Sequence, residues 1–248
     1  MFENLIKFKA NDKFIKHNQD NLPVPAKLNT PDWFNKLEHA VNNKTVKGCM
    51  PFLDSLTAGY ILKMPVDYFI EHNIETEGIK NTVSDSSQMP RNALASTVNV
   101  NISGDGQYHH IQQLGNNNPL LEKNKNLPVH KILNPGVIET PPGYSTLFVS
   151  PLNNRDDRFE IMSGIVDTDI FKSEINFPII INGDKYETLK TIIKRGTPYV
   201  QCIPFKRDRW KMKIEEQCKL EKQENNFFQH INIINDYKTN VWSKKSWK

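Results

Sequence analysis

The chain of 248 residues has little cysteine, with three in all. Cys49, Cys202 and Cys218 are an odd set without a Cys-x-x-Cys pair or metal-ligand spacing. This excludes a disulfide framework and suits a reducing compartment. It also lacks a long apolar run. No stretch approaches the ~20 residues that a membrane span needs. The opening "MFENLIKFKANDKF" lacks the apolar core of a signal peptide, so synthesis and residence in the cytoplasm are the expectation. Nor is one sign of charge in strong excess. Thirty-two Lys and Arg face 28 Asp and Glu, a formal charge of +4. That balance points away from a nucleic-acid partner or an anionic membrane surface. Missing too are a Gly-x-Ser-x-Gly elbow, a glycine-rich phosphate cradle and any repeat of fixed period.

What is present is a succession of short strand patterns. "LIKFKA" alternates Leu5, Lys7 and Lys9 with Ile6, Phe8 and Ala10. "NTPDWFNKLEHAV" reads as a short helix: Thr30 is the expected N-cap, Pro31 takes the first position, and Trp33, Phe34, Leu37 and Val41 recur at helical spacing. "YILKMPVDYFI" has strand composition, with Pro65 marking an edge or a bulge. "STVNVNI" and "QYHHIQQL" flank the turn "SGDG" as a hairpin. From Val129 to Phe205 apolar, β-branched and aromatic runs alternate with Gly- and Pro-marked turns about every ten residues. This spacing predicts a mainly β fold: an antiparallel β-sandwich or cupin-like double-stranded β-helix over residues 1–207, carrying a short N-terminal helix.

After residue 207 the pattern changes. Trp210, Ile214 and Cys218, then Phe227, Ile231 and Ile234, fall at helical spacing, which predicts an amphipathic helical extension over 208–248. Such helices would pack on the sheets or on a second copy of the chain. The terminal "WSKKSWK" mixes aromatic and basic residues, and the expectation is that its Trp residues dock on the domain.

In order along the chain stand "PAKLNTPDWFNKL", "GCMPFLDSLTAGYIL", "PPGYSTLFVSPLN", "GIVDTDIF", "INFPIII" and "KRGTPYVQCIPFKRDRWK". With these motifs the chain resembles an uncharacterised protein family of tailed marine phages, the cyanophage and pelagiphage groups, which is related to a bacterial domain of unknown function. The matching features are Pro141 to Gly143, Pro151 to Asn153, Gly164 to Asp169, Asn176, Gly196 to Pro198 and Pro204 to Arg207. The resemblance implies a β-rich, sandwich or cupin-like fold and a viral origin. The host cytoplasm or a virion would then be its setting, with virion or host proteins as partners. It brings no established activity.

Chemistry concentrates in "NNRDDRFEIMSGIVDTDIF", which holds Asp156, Asp157, Glu160, Asp167 and Asp169. In a strand, Asp167 and Asp169 share a face about 7 Å apart. That separation suits acid–base work or a shared cation, with Arg155, Arg158 or Arg195 as counter-charge. With His110 from "YHH" the pair could supply nitrogen and oxygen ligands to a divalent metal. The competing assignment has both Asp residues at a strand end, accepting hydrogen bonds from turn amides. The candidate binding residues are therefore His110, Asp167, Asp169 and Arg195, with His110, Asp167 and Asp169 as the candidate metal set. The overall expectation is a non-enzymatic binding or structural module. The alternative is a small-molecule enzyme, metal-dependent in one version, built in the mouth of the sandwich.

Overall fold

The buried segment Met64-Pro65-Val66-Asp67 interrupts what composition alone presents as one strand. The chain there forms two strands in two different sheets. The computed structural model describes residues 4–40, 42–73, 78–83, 108–109, 111–115, 117–186, 188–216 and 237–248. Its strands are β1 Lys7–Lys9, β2 Val24–Pro25, β3 Tyr60–Lys63, β4 Tyr68–Asn73, β5 Gly78–Val83, β6 Tyr108–His109, β7 Val129–Ile132, β8 Val137–Glu139, β9 Tyr144–Val149, β10 Phe159–Ile161, β11 Gly164–Val166, β12 Phe177–Ile181, β13 Thr188–Ile193 and β14 Pro198–Lys206. The α-helices are short: α1 Asp12–His17, α2 Asp32–Lys36, α3 Met50–Thr57, α4 Ile111–Leu114 and α5 Pro119–Lys123.

All strand pairs are antiparallel, and the fold is mainly β. A five-stranded sheet runs β11-β9-β14-β3-β2, a four-stranded sheet β10-β12-β7-β6, a three-stranded sheet β13-β4-β5, and β1 pairs with β8. The two larger sheets meet through aromatic side chains. Phe148 of β9 and Tyr199 of β14 lie against Phe177 of β12, at ring separations of 5.4 and 5.7 Å. Ile132, Ile161, Ile179, Val200 and Cys202 extend the same buried cluster. Each such fully buried aliphatic or aromatic side chain stabilises the fold by about 1.5–3 kcal/mol relative to exposure.

β12, "FPIII", is buried on both faces. Ile179 and Ile181 enter the main core, while Ile180 packs with Leu121 of α5 and Val129 of β7. A strand covered on two sides reads as a continuous apolar run rather than an alternation, as it does here.

Several expectations need correction. α2 stops after Lys36, and its Thr30 does not cap it: the hydroxyl instead contacts Asn35 Oδ1 at 3.1 Å. α1, whose Asn11 side chain accepts from the Phe14 amide at 2.8 Å, and α3 are additional helices. Residues 208–216 carry no helix, and residues 237–241 form a single π-helical turn. The remaining part of the expected extension, 217–236, lies outside the described residues, as does most of the expected hairpin around "SGDG". At the C-terminus the Trp residues dock. Trp242 Nε1 donates to Asp54 Oδ2 at 2.9 Å, and Trp247 stands edge-on to Tyr60. Among the described residues no helix is long and apolar enough to cross a membrane.

Candidate functional site

β11 ends at Val166, before either candidate aspartate. The Asp167 carbonyl accepts from the amides of Ile170 and Phe171 at 2.9 and 2.8 Å, closing a tight turn. Asp167 and Asp169 are therefore turn residues rather than successive positions on one strand face. The turn nonetheless brings both carboxylates to one guanidinium, that of Arg207, immediately after β14.

The opposing loop is built by its sequence. In Pro141-Pro142-Gly143-Tyr144 the Tyr144 amide donates to the Pro141 carbonyl at 3.3 Å, and Gly143 has φ +84°. Pro at the second position and a left-handed Gly at the third are the chemistry of a type II turn. A Cβ at Gly143 would meet nothing, so glycine is needed there for backbone conformation alone. The turn aims the Gly143 N–H at Asp169 Oδ2, 2.8 Å away, and offers the Gly143 carbonyl to the Arg207 amide at 2.8 Å.

Arg207 then closes the corner. Nη1 and Nη2 donate to the two oxygens of Asp169 at 2.8 and 2.5 Å, a bidentate pair. Nη1 also reaches the Tyr144 carbonyl and Ser145 Oγ, at 3.0 and 3.1 Å. Ser145 Oγ donates to Asp167 Oδ1 at 2.6 Å, and Asp167 lies 3.1 Å from the guanidinium. Beneath them Thr140, Thr146 and Thr168 are buried, with Thr168 Oγ1 2.7 Å from Thr140 Oγ1 and 2.8 Å from Thr146 Oγ1.

The electrostatics follow from this wiring. The Arg207 hydrogen bonds, assisted by the Gly143 amide, hold the Asp169 carboxyl down at about 2. The same pairing raises the Arg207 pKa. A carboxylate with both oxygens engaged and its proton affinity lowered is poorly suited to take up or deliver a proton near neutral pH. What it does well is hold the 140–146 loop, the 167–171 turn and the end of β14 in one geometry.

The other expected residues lie elsewhere. Arg195 does not serve the aspartates. Its Nε donates to Asn18 Oδ1 at 3.1 Å, its Nη2 to the His17 carbonyl at 2.6 Å, and its backbone N–H to Asp67 Oδ1 at 2.7 Å. It therefore pins the end of α1 to the β13–β14 turn. Arg158 is taken by Asp156 in a second bidentate pair, at 2.9 and 2.7 Å, and Arg155 with Lys123 flanks Glu160. Asp157 pairs with Lys185, assisted by the Tyr186 hydroxyl, and these contacts lower its pKa. His110 lies outside the described residues. Among the described residues no three His, Cys, Asp or Glu side chains are grouped as a metal site. Sequence reasoning passed over Arg207 as a partner. Its only signal was position, a basic residue directly after the last strand.

Two further features bear on binding. A cavity of about 270 Å³ lies between the N-terminal segment and β8, walled by Phe8, Phe14, Leu22, Leu62, Pro65 and Ile138 among others, and no carboxylate lines it. The second is apolar surface. Ile165, Ile170, Phe171 and Phe205 are exposed around the corner, and beyond it Trp210, Met212 and Ile214 are 92%, 83% and 86% exposed. No protein-family model matches the chain, and no curated protein matches it.

Proposed function

We propose that the chain is a non-enzymatic binding or structural module. In this reading residues 1–207 form a two-sheet sandwich of cupin-like type, residues 208–248 form a C-terminal extension, and the protein is of the phage type its motifs resemble. It would act in the cytoplasm of an infected cell or within a virion. One observation carries the reading. The side chains that look chemical in the sequence are consumed by one another, Asp167 and Asp169 by Arg207, Ser145 and the Gly143 amide. Polar groups engaged in this way organise a fold rather than a reaction. Among the described residues large apolar side chains are exposed at Ile165, Ile170, Phe171, Trp210, Met212 and Ile214, and exposed apolar area supports a protein-binding role.

The test is elemental analysis of the purified protein together with thermal melts with and without EDTA. The module predicts no stoichiometric metal, melts that EDTA does not shift, and an Asp167→Ala variant changed only in stability. A stoichiometric divalent metal lost in Asp167→Ala would overturn it in favour of a metal-dependent enzyme.

A further inference from the structure

The segment after β14 has the residue pattern of a strand but joins no sheet among the described residues. In "DRWKMKIEE", residues 208–216, Trp210, Met212 and Ile214 occupy one parity, and Arg209, Lys211, Lys213 and Glu215 the other. This is the period-2 alternation of a half-buried strand. Yet all three apolar side chains are exposed, and among the described residues the backbone groups of 209–216 make no backbone hydrogen bond. A segment with an apolar stripe whose N–H and C=O groups find no backbone partner among the described residues is complementary to a sheet edge.

The five-stranded sheet offers such an edge at β11. Its opposite edge, β2, is two residues long and contains Pro25, which has no amide to donate. Among the described residues no strand pairs with the outer side of β11, and Ile165 there is 62% exposed. Ile165 lies opposite Leu147 of β9, which lies opposite Ile203 of β14, so an apolar row crosses three strands and stops at the edge. A fourth strand with an apolar residue at that position would complete the row.

The charge on the segment favours a protein edge over a polyanion. Arg209, Lys211 and Lys213 are balanced by Asp208, Glu215 and Glu216, three against three, leaving no net charge. Geometry favours a second copy. Arg207 is 3.1 Å from Asp167, so the segment leaves its own domain at the foot of β11. Donor and acceptor thus sit side by side on one surface, the arrangement that a two-fold axis turns into a reciprocal exchange.

We propose that residues 208–216 form an arm that adds as a strand to the β11 edge of a second copy of this chain. The proposal rests on the binding-module reading and names its partner. It is tested by sedimentation equilibrium of the full chain across a range of concentrations. The wild type should be a dimer, and Met212→Asp/Ile214→Asp should weaken association by at least about tenfold, as loss of buried anchors does. Ile165→Asp, on the acceptor side, should do the same. Because these side chains are exposed within one chain, the melts of diluted monomer should stay unchanged. In a Cys49→Ser/Cys218→Ser background, Ile165→Cys combined in turn with Trp210→Cys, Met212→Cys or Ile214→Cys should give an interchain disulfide in one register.

A wild type that is monomeric at every concentration overturns the proposal. So does a dimer that survives the arm variants, or one that Ile165→Asp leaves intact, which would mean that the arms bind something other than β11. Association abolished by nuclease would assign the arm to nucleic acid and overturn it as well. None of these outcomes touches the metal test, so the arm can fail while the module reading stands.

Discussion

The corner held by Arg207 and the arm that starts one residue later are adjacent in sequence and opposite in physical state. In the corner the two carboxylates, the guanidinium and the buried threonine hydroxyls have partners between 2.5 and 3.3 Å. In the arm three large apolar side chains stand in solvent, and among the described residues the backbone of 209–216 makes no backbone hydrogen bond. Density of ionisable groups therefore does not mark where this molecule has unmet capacity for contact. Groups that satisfy one another have spent their interaction energy on the fold. Unmet capacity for burial and hydrogen bonding lies in residues of plain composition.

The comparison breaks first if the corner proves expendable. Arg207→Ala leaves Asp169, whose side chain is 6% exposed, without its counter-charge and removes the side-chain ties to the Tyr144 carbonyl and Ser145 Oγ. It should give the largest fall in urea midpoint among the variants considered. Adding Asp169→Asn should recover part of that loss, because an unpaired carboxylate costs more than a missing pair. Equal and additive losses would show that the two side chains do not act together.

The same pair gives a pH signature. The ordinary value for Asp169 is 3.8 and the folded value about 2, so folding favours its ionised form. That contribution is complete above the unfolded pKa and is lost as pH falls from about 4 towards 2. The difference in urea midpoint between wild type and Asp169→Asn should hold steady from neutral pH to about 5 and shrink below 4. A difference that stayed constant through that window would remove Asp169 from the linkage.

Smaller, but still within the corner, is the hydroxyl network. Thr168→Val preserves shape while leaving Thr140 and Thr146 without their shared buried partner. An unsatisfied buried hydroxyl costs about 1–3 kcal/mol, readable as a lower urea midpoint with unchanged slope. Gly143→Ala meets no atoms and suffers only the left-handed backbone, a cost of about 1–2 kcal/mol. Gly59 provides the contrast. It also has positive φ, but a Cβ there would lie 2.0 Å from the Cys202 carbonyl oxygen, so Gly59→Ala should cost clearly more.

Most strands from Val129 to Lys206 are legible because Gly, Pro or Asn punctuates them and they carry β-branched or aromatic side chains; β10, three residues between Arg158 and Met162, has no such marker. Pro65 was legible as a disturbance, but sequence could not choose between a bulge and a switch between sheets. That depends on where β3 and β4 find partners. α3 was hidden because eight residues of "MPFLDSLT" are too few for a period to declare itself. Asp167 and Asp169 were recognised as a pair, and the assignment to a strand end is the one their hydrogen bonds match. Their cation was not found: Arg207 lies 38 residues beyond Asp169, and only the pairing of β9 with β14 brings it near. The helical pattern over 208–216 has no helix behind it for a different reason. Trp210 and Ile214 fit a helical spacing of four, while Trp210, Met212 and Ile214 fit a strand spacing of two. Where both periods fit, local sequence does not decide between them.

The smallest effect is the one that separates the two regions most sharply. Met212→Ser in the arm removes a large apolar side chain, a change that in a packed core costs a few kcal/mol. Here Met212 is exposed and touches no core, so the change in stability of the isolated chain should stay within about 0.5 kcal/mol. Thermal melts at high dilution would read this directly beside Thr168→Val. A loss comparable to that of the threonine variant would mean that the arm packs on its own domain in solution. The contrast between a satisfied corner and an unmet arm would then fail at its second term, whereas a silent Met212→Ser leaves the side chain's apolar area free to be buried by another chain.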